Sequence, residues 1–163
     1  MNQHPEKLHE VDIRDVTFGD RVAVVRPCNL YECQIGDDAF IGPFVEIQRN
    51  ASIGNRTKIQ SHAFVCELVE IGDDCFVGHG VMFVNDLFED GGPASGDQSK
   101  WKRTKIGNHV SIGSNATILP VIICDDVVIG AGAVVTRDIT CPGTYLGNPA
   151  KLNRQFETHH NES

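Results

Sequence analysis

Ile35-Gly36-Asp37-Asp38-Ala39-Phe40, Ile41-Gly42-Pro43-Phe44-Val45-Glu46, Ile47-Gln48-Arg49-Asn50-Ala51-Ser52 and Ile53-Gly54-Asn55-Arg56-Thr57-Lys58 are four consecutive hexads, each opening on isoleucine. The same step continues through Ile59, Val65, Ile71, Val77 and Phe83. Four residues after each of the first eight aliphatic positions comes a small or β-branched side chain: Ala39, Val45, Ala51, Thr57, Ala63, Val69, Cys75 and Val81. Glycine follows the aliphatic residue at 36, 42, 54, 72 and 78. A less regular copy runs backward through Leu30, Val24 and Phe18, and the step resumes at Ile106, Ile112, Ile118, Ile123, Ile129 and Val135.

A period of six fits neither a helix at 3.6 nor an amphipathic strand at 2. It fits a solenoid of short flat strands joined by tight corners, with three hexads to each coil of about 18 residues. The large aliphatic side chain points into the coil, the small one fills the corner, and glycine tolerates the corner backbone. Stacked coils ~4.8 Å apart would pair as parallel strands. The pattern predicts an all-β fold, a left-handed parallel β-helix, against the usual right-handed crossover. An antiparallel sandwich would need alternation of period two with irregular turns instead.

Two five-residue steps, Leu30 to Ile35 and Ile118 to Ile123, tighten a corner each. The larger break lies between Phe83 and Ile106, where residues 87–99 are polar and rich in glycine and proline and read as an extruded loop. Lys100 to Lys105 reads as a degenerate hexad with Thr104 in the small slot. The expected organisation is a lead-in over 1–17, the β-helix with its loop over 18–140, and an exit segment over 141–163 ending in a frayed tail. A long loop leaving a rigid scaffold is more often functional than accidental.

The chain has 163 residues, 40% hydrophobic and 22% charged, with a formal charge of -8. That is one domain of ordinary globular composition. The acidic balance argues against a nucleic-acid partner, which needs a basic face. No apolar run approaches the ~20 residues of a membrane span, and Met1 to Glu6 lacks a signal-peptide pattern, so the expectation is a soluble, cytoplasmic protein with no membrane partner. The six cysteines (28, 33, 66, 75, 124, 141) have no paired metal spacing and read as free thiols.

The 18-residue coil predicts which side chains stack. Arg49, Glu67 and Asn85 share one column, and Ser61 and His79 share another, with His62 one residue along. His62, Glu67, His79, Asn85 and Asp86 are therefore expected close together at the root of the loop, a titratable cluster of the kind that forms a site. Each also has a plainer reading. The histidines suit a solvated surface, Glu67 and Arg49 suit a ladder pair, and Asn85-Asp86 suits a turn opener. His109 reads as turn decoration, and His159 and His160 as part of the tail. The in-repeat histidines lack the spacing of a tri-histidine zinc site, so no metal is expected.

The hexads, the run Ile106 to Pro120, the run Ile129 to Asp138 and the exit Gly147-Asn148-Pro149-Ala150-Lys151 resemble the hexapeptide-repeat acyltransferases. Ile59 to His62, Gly78 to Asp86, the loop, and Trp101 with Thr104 resemble those members that N-acetylate deoxyamino sugars on a nucleotide carrier. The resemblance implies a homotrimer with acetyl-CoA as cosubstrate in the groove between neighbouring solenoids, and a dTDP- or UDP-linked acceptor used in surface glycan (lipopolysaccharide-type) biosynthesis. It implies coenzyme contacts at Ser114, Ala131, Gly132, Ala133 and Lys151, and acceptor contacts at Arg49, His79 and Trp101. Asn85, Asp86, His62 and Glu67 are the implied catalytic group, with orientation of the amine by Asn85 and Asp86 ranked above base catalysis. The family follows Asn-Asp with Pro-Arg, where this chain has Leu87-Phe88-Glu89-Asp90, and Ile118-Leu119-Pro120-Val121 lacks a glycine after the proline. The alternatives are O-acetylation on the same fold, which requires a real base such as His62 or His79, and a non-catalytic structural or partner-binding β-helix.

Overall fold

The computed structural model describes residues 10–156. The expectations for Met1 to Glu6 and for the tail with His159 and His160 lie outside the described residues. The chain coils into a solenoid of three parallel sheets with about seven turns. Face I stacks seven strands from Ile13–Arg14 to Val134–Val135, and face II six from Thr17–Phe18 to Ile122–Ile123. Face III runs from Ala23–Val24 through Val127–Ile129 to Gly143–Leu146 and is closed by the antiparallel Lys151–Gln155. Away from the loop and the last turn, successive coils sit 17 or 18 residues apart: Phe64 pairs with Glu46 and Gln34 with Ser52, whereas Leu30 pairs with Ile47 and Ile118 with Val135 across the two tightened corners.

The hexad rule appears directly as burial. Leu30, Ile41, Ile47, Ile59, Val65, Ile112 and Ile118 are at most 1% exposed, and the corner residues Ala39, Val45, Ala63 and Val81 fill the interior between them. Burying each large aliphatic side chain contributes about 1.5–3 kcal/mol. Thr57 and Thr104, the polar members of the small slot, are fully buried. Thr57 Oγ1 donates to the carbonyl of Gly72 at 2.8 Å and accepts the N–H of Cys75 at 2.9 Å, so the hydroxyl is satisfied inside the corner. Thr104 pairs with Val69, which places Lys100 to Lys105 in the hexad register.

Two boundaries differ from the sequence expectation. The ladder already starts at Ile13, inside the lead-in assigned to 1–17, because Ile13 and Arg14 pair with Leu30 and Tyr31. Gly143–Leu146, assigned to the exit, still pairs in parallel with Val127–Ile129 and covers that strand's open edge before the chain reverses.

Each coil turns three corners, and at most of them one residue adopts a positive φ. These residues form columns: Arg21, Asp38, Arg56, Asp74, His109 and Asp126 at corner II–III; Phe44, His62, Gly80, Asn115 and Gly132 at corner III–I; Asp15, Glu32, Asn50 and Leu68 at corner I–II. At corner II–III the preceding residue is Asp or Asn, and its Oδ1 accepts a backbone N–H from the coil below. Asp37 donates to Asn55, Asn55 to Asp73, Asp73 to Asn108 and Asn108 to Asp125, all at 2.7–2.9 Å. Beside this staple the charges alternate up the column, with Arg21 paired to Asp38 at 2.6 Å and Arg56 to Asp74 at 2.7 Å. His109, read as turn decoration, takes the next step between Asp74 and Asp126 at 3.7 and 3.3 Å.

The loop leaves face I after Met82–Phe83 and returns at Thr104–Ile106, so Phe76 pairs with Ser111, 35 residues on. A single 3-10 turn at Gln98–Lys100 is its only helical piece. All six cysteines are free; burial raises the Cys33 thiol to about 11 and the Cys66 thiol to about 12, which leaves both unreactive.

Candidate functional site

The residues singled out in the sequence fall on two corners, not one. Arg49, Glu67, Asn85, Asp86, the loop and Trp101 occupy corner I–II. His62, His79, Ser114, Ala131 and Gly132 occupy corner III–I. The cause is the hexad itself: between His62 and Glu67 the chain runs along face I as Phe64–Val65, and one six-residue side spans up to about 20 Å. The expected single cluster is therefore divided within one chain.

At corner I–II the predicted column is present. Glu67 is 4% exposed; its carboxylate accepts from Arg49 Nε at 3.2 Å and Asn50 Nδ2 at 2.9 Å, and its N–H reaches Gln48 Oε1 at 3.3 Å. Asn85 Nδ2 donates to the Glu67 carbonyl at 3.2 Å, while its own carbonyl accepts the N–H of Lys102 at 2.8 Å and closes the neck of the loop. Trp101, half-buried, stands beside that closure. Both oxygens of Asp86 are committed to the loop, Oδ1 accepting from Phe88 N–H at 2.9 Å and Oδ2 from Ala94 N–H at 2.7 Å. These bonds, that to Ala94 first, hold its carboxyl below the ordinary carboxylate range. Asp86 is thus built as a loop staple, and Glu67 as a strut under Asn85.

At corner III–I the arrangement is more open. Ser61 Oγ and His79 Nδ1 are 2.8 Å apart, which fixes the exposed imidazole and leaves Nε2 without a partner among the described residues. His62 has a positive φ and stacks on Phe44 with ring centroids 4.8 Å apart. Above His79 in the column come Ser114 and then Ala131. Here no Asp or Asn caps the coil, so the backbone N–H groups of His79, Ser114 and Ala131 meet no acceptor among the described residues. Gly78 has to be glycine: a Cβ would lie 2.7 Å from both Ile112 O and Ser114 N. Ala131 and Gly132 are exposed, and nothing lies within 4 Å of a Cβ built on Gly132. Ala133, by contrast, is fully buried, and its side chain fills the core. The exit returns to this corner, since Val134 donates to Gly147 O at 2.9 Å and Ala150 to Val134 O at 2.8 Å, and Lys151 emerges there exposed.

What this corner offers is an oriented imidazole, a vertical row of unclaimed N–H donors, small side chains and a cation at its upper end. Ser61 is the member that the reading of single residues passed over, although its spacing of 18 from His79 signalled the contact. No cluster of His, Cys, Asp or Glu able to hold a metal occurs among the described residues.

Comparison with known proteins agrees with this architecture. Residues 32–67 match the family described as bacterial transferase hexapeptide (six repeats), and residues 103–137 match the hexapeptide repeat of succinyl-transferase. Bifunctional protein GlmU of Clostridium botulinum (strain ATCC 19397 / Type A) is 31% identical over 134 residues, 82% of this chain and 26% of that protein. The chain therefore spans about a quarter of the length of these curated relatives. Among solved structures, a variant of AntD, an N-acyltransferase from Bacillus cereus in complex with dTDP and coenzyme A, superposes with a TM-score of 0.71 at 19% identity, covering 87% of this chain and 84% of that one. A variant of perosamine N-acetyltransferase from Caulobacter crescentus, in complex with CoA and GDP-perosamine, gives 0.62 at 21% identity, covering 86% and 56%. The hexad is thus legible in the sequence, built into the coils of the solenoid, and matched by hexapeptide-repeat families on both sides of the loop.

Proposed function

We propose that this protein is an acetyl-CoA-dependent acyltransferase that acetylates the amino group of a deoxyamino sugar carried on a nucleotide. The observation that carries the reading is the Ser61–His79 pair at 2.8 Å, standing directly below the free N–H donors of Ser114 and Ala131. That column suits the pantetheine arm, whose amides need backbone partners at close approach, and Lys151 suits a coenzyme phosphate. The structural neighbours bind coenzyme A together with dTDP or GDP-perosamine, which supports the same ligand pair here.

In this reading the amine nitrogen attacks the thioester carbonyl carbon. Its proton passes to His79 Nε2, and the tetrahedral oxyanion is met by a backbone N–H at the corner. The C–S bond then breaks, and the departing sulfur receives the proton from His79, giving the amide and free coenzyme A. His79 is the base, and Asn85, fixed to Glu67, belongs to the acceptor side. Since Asn85 and His79 lie on different corners of one chain, the site is completed by a second copy, which brings its loop to corner III–I, and a homotrimer gives three such sites. O-acetylation is the second reading, favoured by the Ser61-oriented imidazole, because a hydroxyl acceptor needs that base more than an amine does.

The test is release of free thiol from acetyl-CoA against thymidine-, uridine- and guanosine-linked 3-amino and 4-amino sugars, with hydroxyl counterparts alongside. Turnover with one amino sugar, lost about 10²-fold or more in His79→Ala, is the expected result. Turnover only with hydroxyl acceptors selects the second reading. Coenzyme binding without any turnover rejects both acceptors, and no coenzyme binding rejects the enzyme.

A further inference from the structure

The extruded loop is a pre-folded element. Its neck is closed by the Asn85 carbonyl and Lys102 N–H, its limbs by Lys100–Asp90 at 2.9 Å and Lys102–Glu89 at 3.3 Å, and its first turn by Asp86 and by Gly91 N–H on the Phe88 carbonyl at 2.8 Å. Ala94, 6% exposed, is its small interior. Within this element Phe88 is held at φ 53 and is 57% exposed. The other non-glycine residues with positive φ lie at coil corners, where the solenoid requires that conformation, except the small, polar Ser95. A left-handed backbone is unfavourable for a bulky aromatic residue, and a ring more than half in water recovers little of that penalty by burial. The fold thus holds Phe88 in a strained conformation while leaving more than half of the residue exposed. Such strain, locked by surrounding bonds, points to a binding role.

We infer that Phe88 is the stacking platform for the flat base of the nucleotide-linked acceptor. The inference rests on the acceptor class proposed above and adds the residue that recognises its nucleotide half. Two observations favour a base over another occupant. Phe88 lies three residues along the chain from Asn85 and Trp101 one residue from Lys102, so both aromatic residues belong to the segment that the Asn85–Lys102 bond closes. An aromatic face also binds any base, consistent with a loop that lacks a cation free for phosphate among the described residues: Lys100, Lys102 and Arg103 are each paired, with Asp90, Glu89 and Glu70.

The test compares wild type with Phe88→Gly and Phe88→Tyr. Glycine accepts the left-handed backbone, so Phe88→Gly is expected to keep or raise the melting temperature while KM for the preferred nucleotide sugar rises about tenfold, the loss expected for one stacked ring. Turnover number, KM for acetyl-CoA and activity on the base-free amino sugar stay unchanged, and Phe88→Tyr restores KM. An unchanged KM overturns the inference, as does an equal loss with the base-free sugar. A fall in melting temperature with loss of oligomer overturns it too, since the ring would then be covered by another copy. Calorimetric titration with dTDP, UDP and GDP separates this inference from the acceptor reading. Nucleotide binding that weakens in Phe88→Gly sustains the platform even if no amino sugar is acetylated, and no binding of any nucleotide to wild type rejects it.

Discussion

Asp86 and His79 show how a side chain's partners decide which chemistry remains open to it. Both are titratable and both stand near the coil from which the loop departs, but Asp86 has spent both oxygens on backbone N–H groups whereas His79 keeps one nitrogen without a partner among the described residues. Because those bonds hold the Asp86 carboxyl below its ordinary value, the charged form belongs to the folded loop. Its contribution is complete at neutral pH and is lost as pH falls through the lowered value, in the region below about pH 4. Asp38 and Asp74, lowered chiefly by their bonds to Arg21 and Arg56, titrate in the same window, so a global melt would mix the effects. The local readout is hydrogen exchange at the amides of Phe88 and Ala94, corrected for intrinsic rates. Asp86→Asn retains one acceptor of two and is expected to exchange several-fold faster at neutral pH than wild type, with little change in the coil amides. Equal exchange in the two proteins would mean that the loop holds its shape without the carboxylate.

A coil corner is the element on which both fold and site depend, and its glycine ties them together. At Gly78 an added Cβ lies 2.7 Å from Ile112 O and Ser114 N, backbone atoms of the next coil. Gly78→Ala must spread the stack there and is expected to cost about 1–3 kcal/mol, a fall in melting temperature of roughly 3–10 °C for a chain of this size. Gly36→Ala meets Asn55 N at 2.8 Å on corner II–III and is expected to destabilise similarly. Only Gly78→Ala should weaken coenzyme A binding, because only it displaces the donors of Ser114. Equal coenzyme affinity in both variants would remove corner III–I as the coenzyme site. Nearly all of this element is written in the sequence: the aliphatic step gives the core, the five-residue slips give the 17-residue registers, and the interval of 18 gives the Arg49–Glu67–Asn85 and Ser61–His79 contacts. What the interval does not carry is the turn of the chain. Spacing along the axis says which residues stack, but residues five apart straddle a face, so His62 and Glu67 looked adjacent and are not. The Asp86 staple and the positive φ of Phe88 are not legible for another reason, since loop geometry follows no period. The contrast between corners is itself legible in the sequence: Asp37, Asn55, Asp73, Asn108 and Asp125 cap one corner, whereas Pro43, Ser61, His79, Ser114 and Ala131 leave the other uncapped.

Across the whole molecule the three corners divide the work. Corner II–III is laced by Asx bonds and alternating charges, corner I–II carries the loop, and corner III–I carries the free donors. Large apolar side chains flank this last corner, with Phe44 56%, Phe76 41% and Met82 42% exposed. A second copy seated there would cover them and bring its loop toward His79, which the trimer proposed above requires. In that proposed trimer no chain would own a complete site. His79→Ala and Asn85→Ala, each inactive or nearly so alone, should therefore complement one another when co-expressed or refolded together. In randomly mixed trimers from equal amounts, a site is intact only where an unaltered His79 from one copy meets an unaltered loop from its neighbour, so activity should return to about a quarter of the wild-type level per site. The mixture also carries its own control, because both substitutions placed on one chain and mixed with wild type give the same number of mutant side chains with a different distribution. Recovery near a quarter supports a site shared between copies. No recovery, with mixed trimers verified by mass, would return catalysis to a single chain and leave the distance across face I as the obstacle to explain.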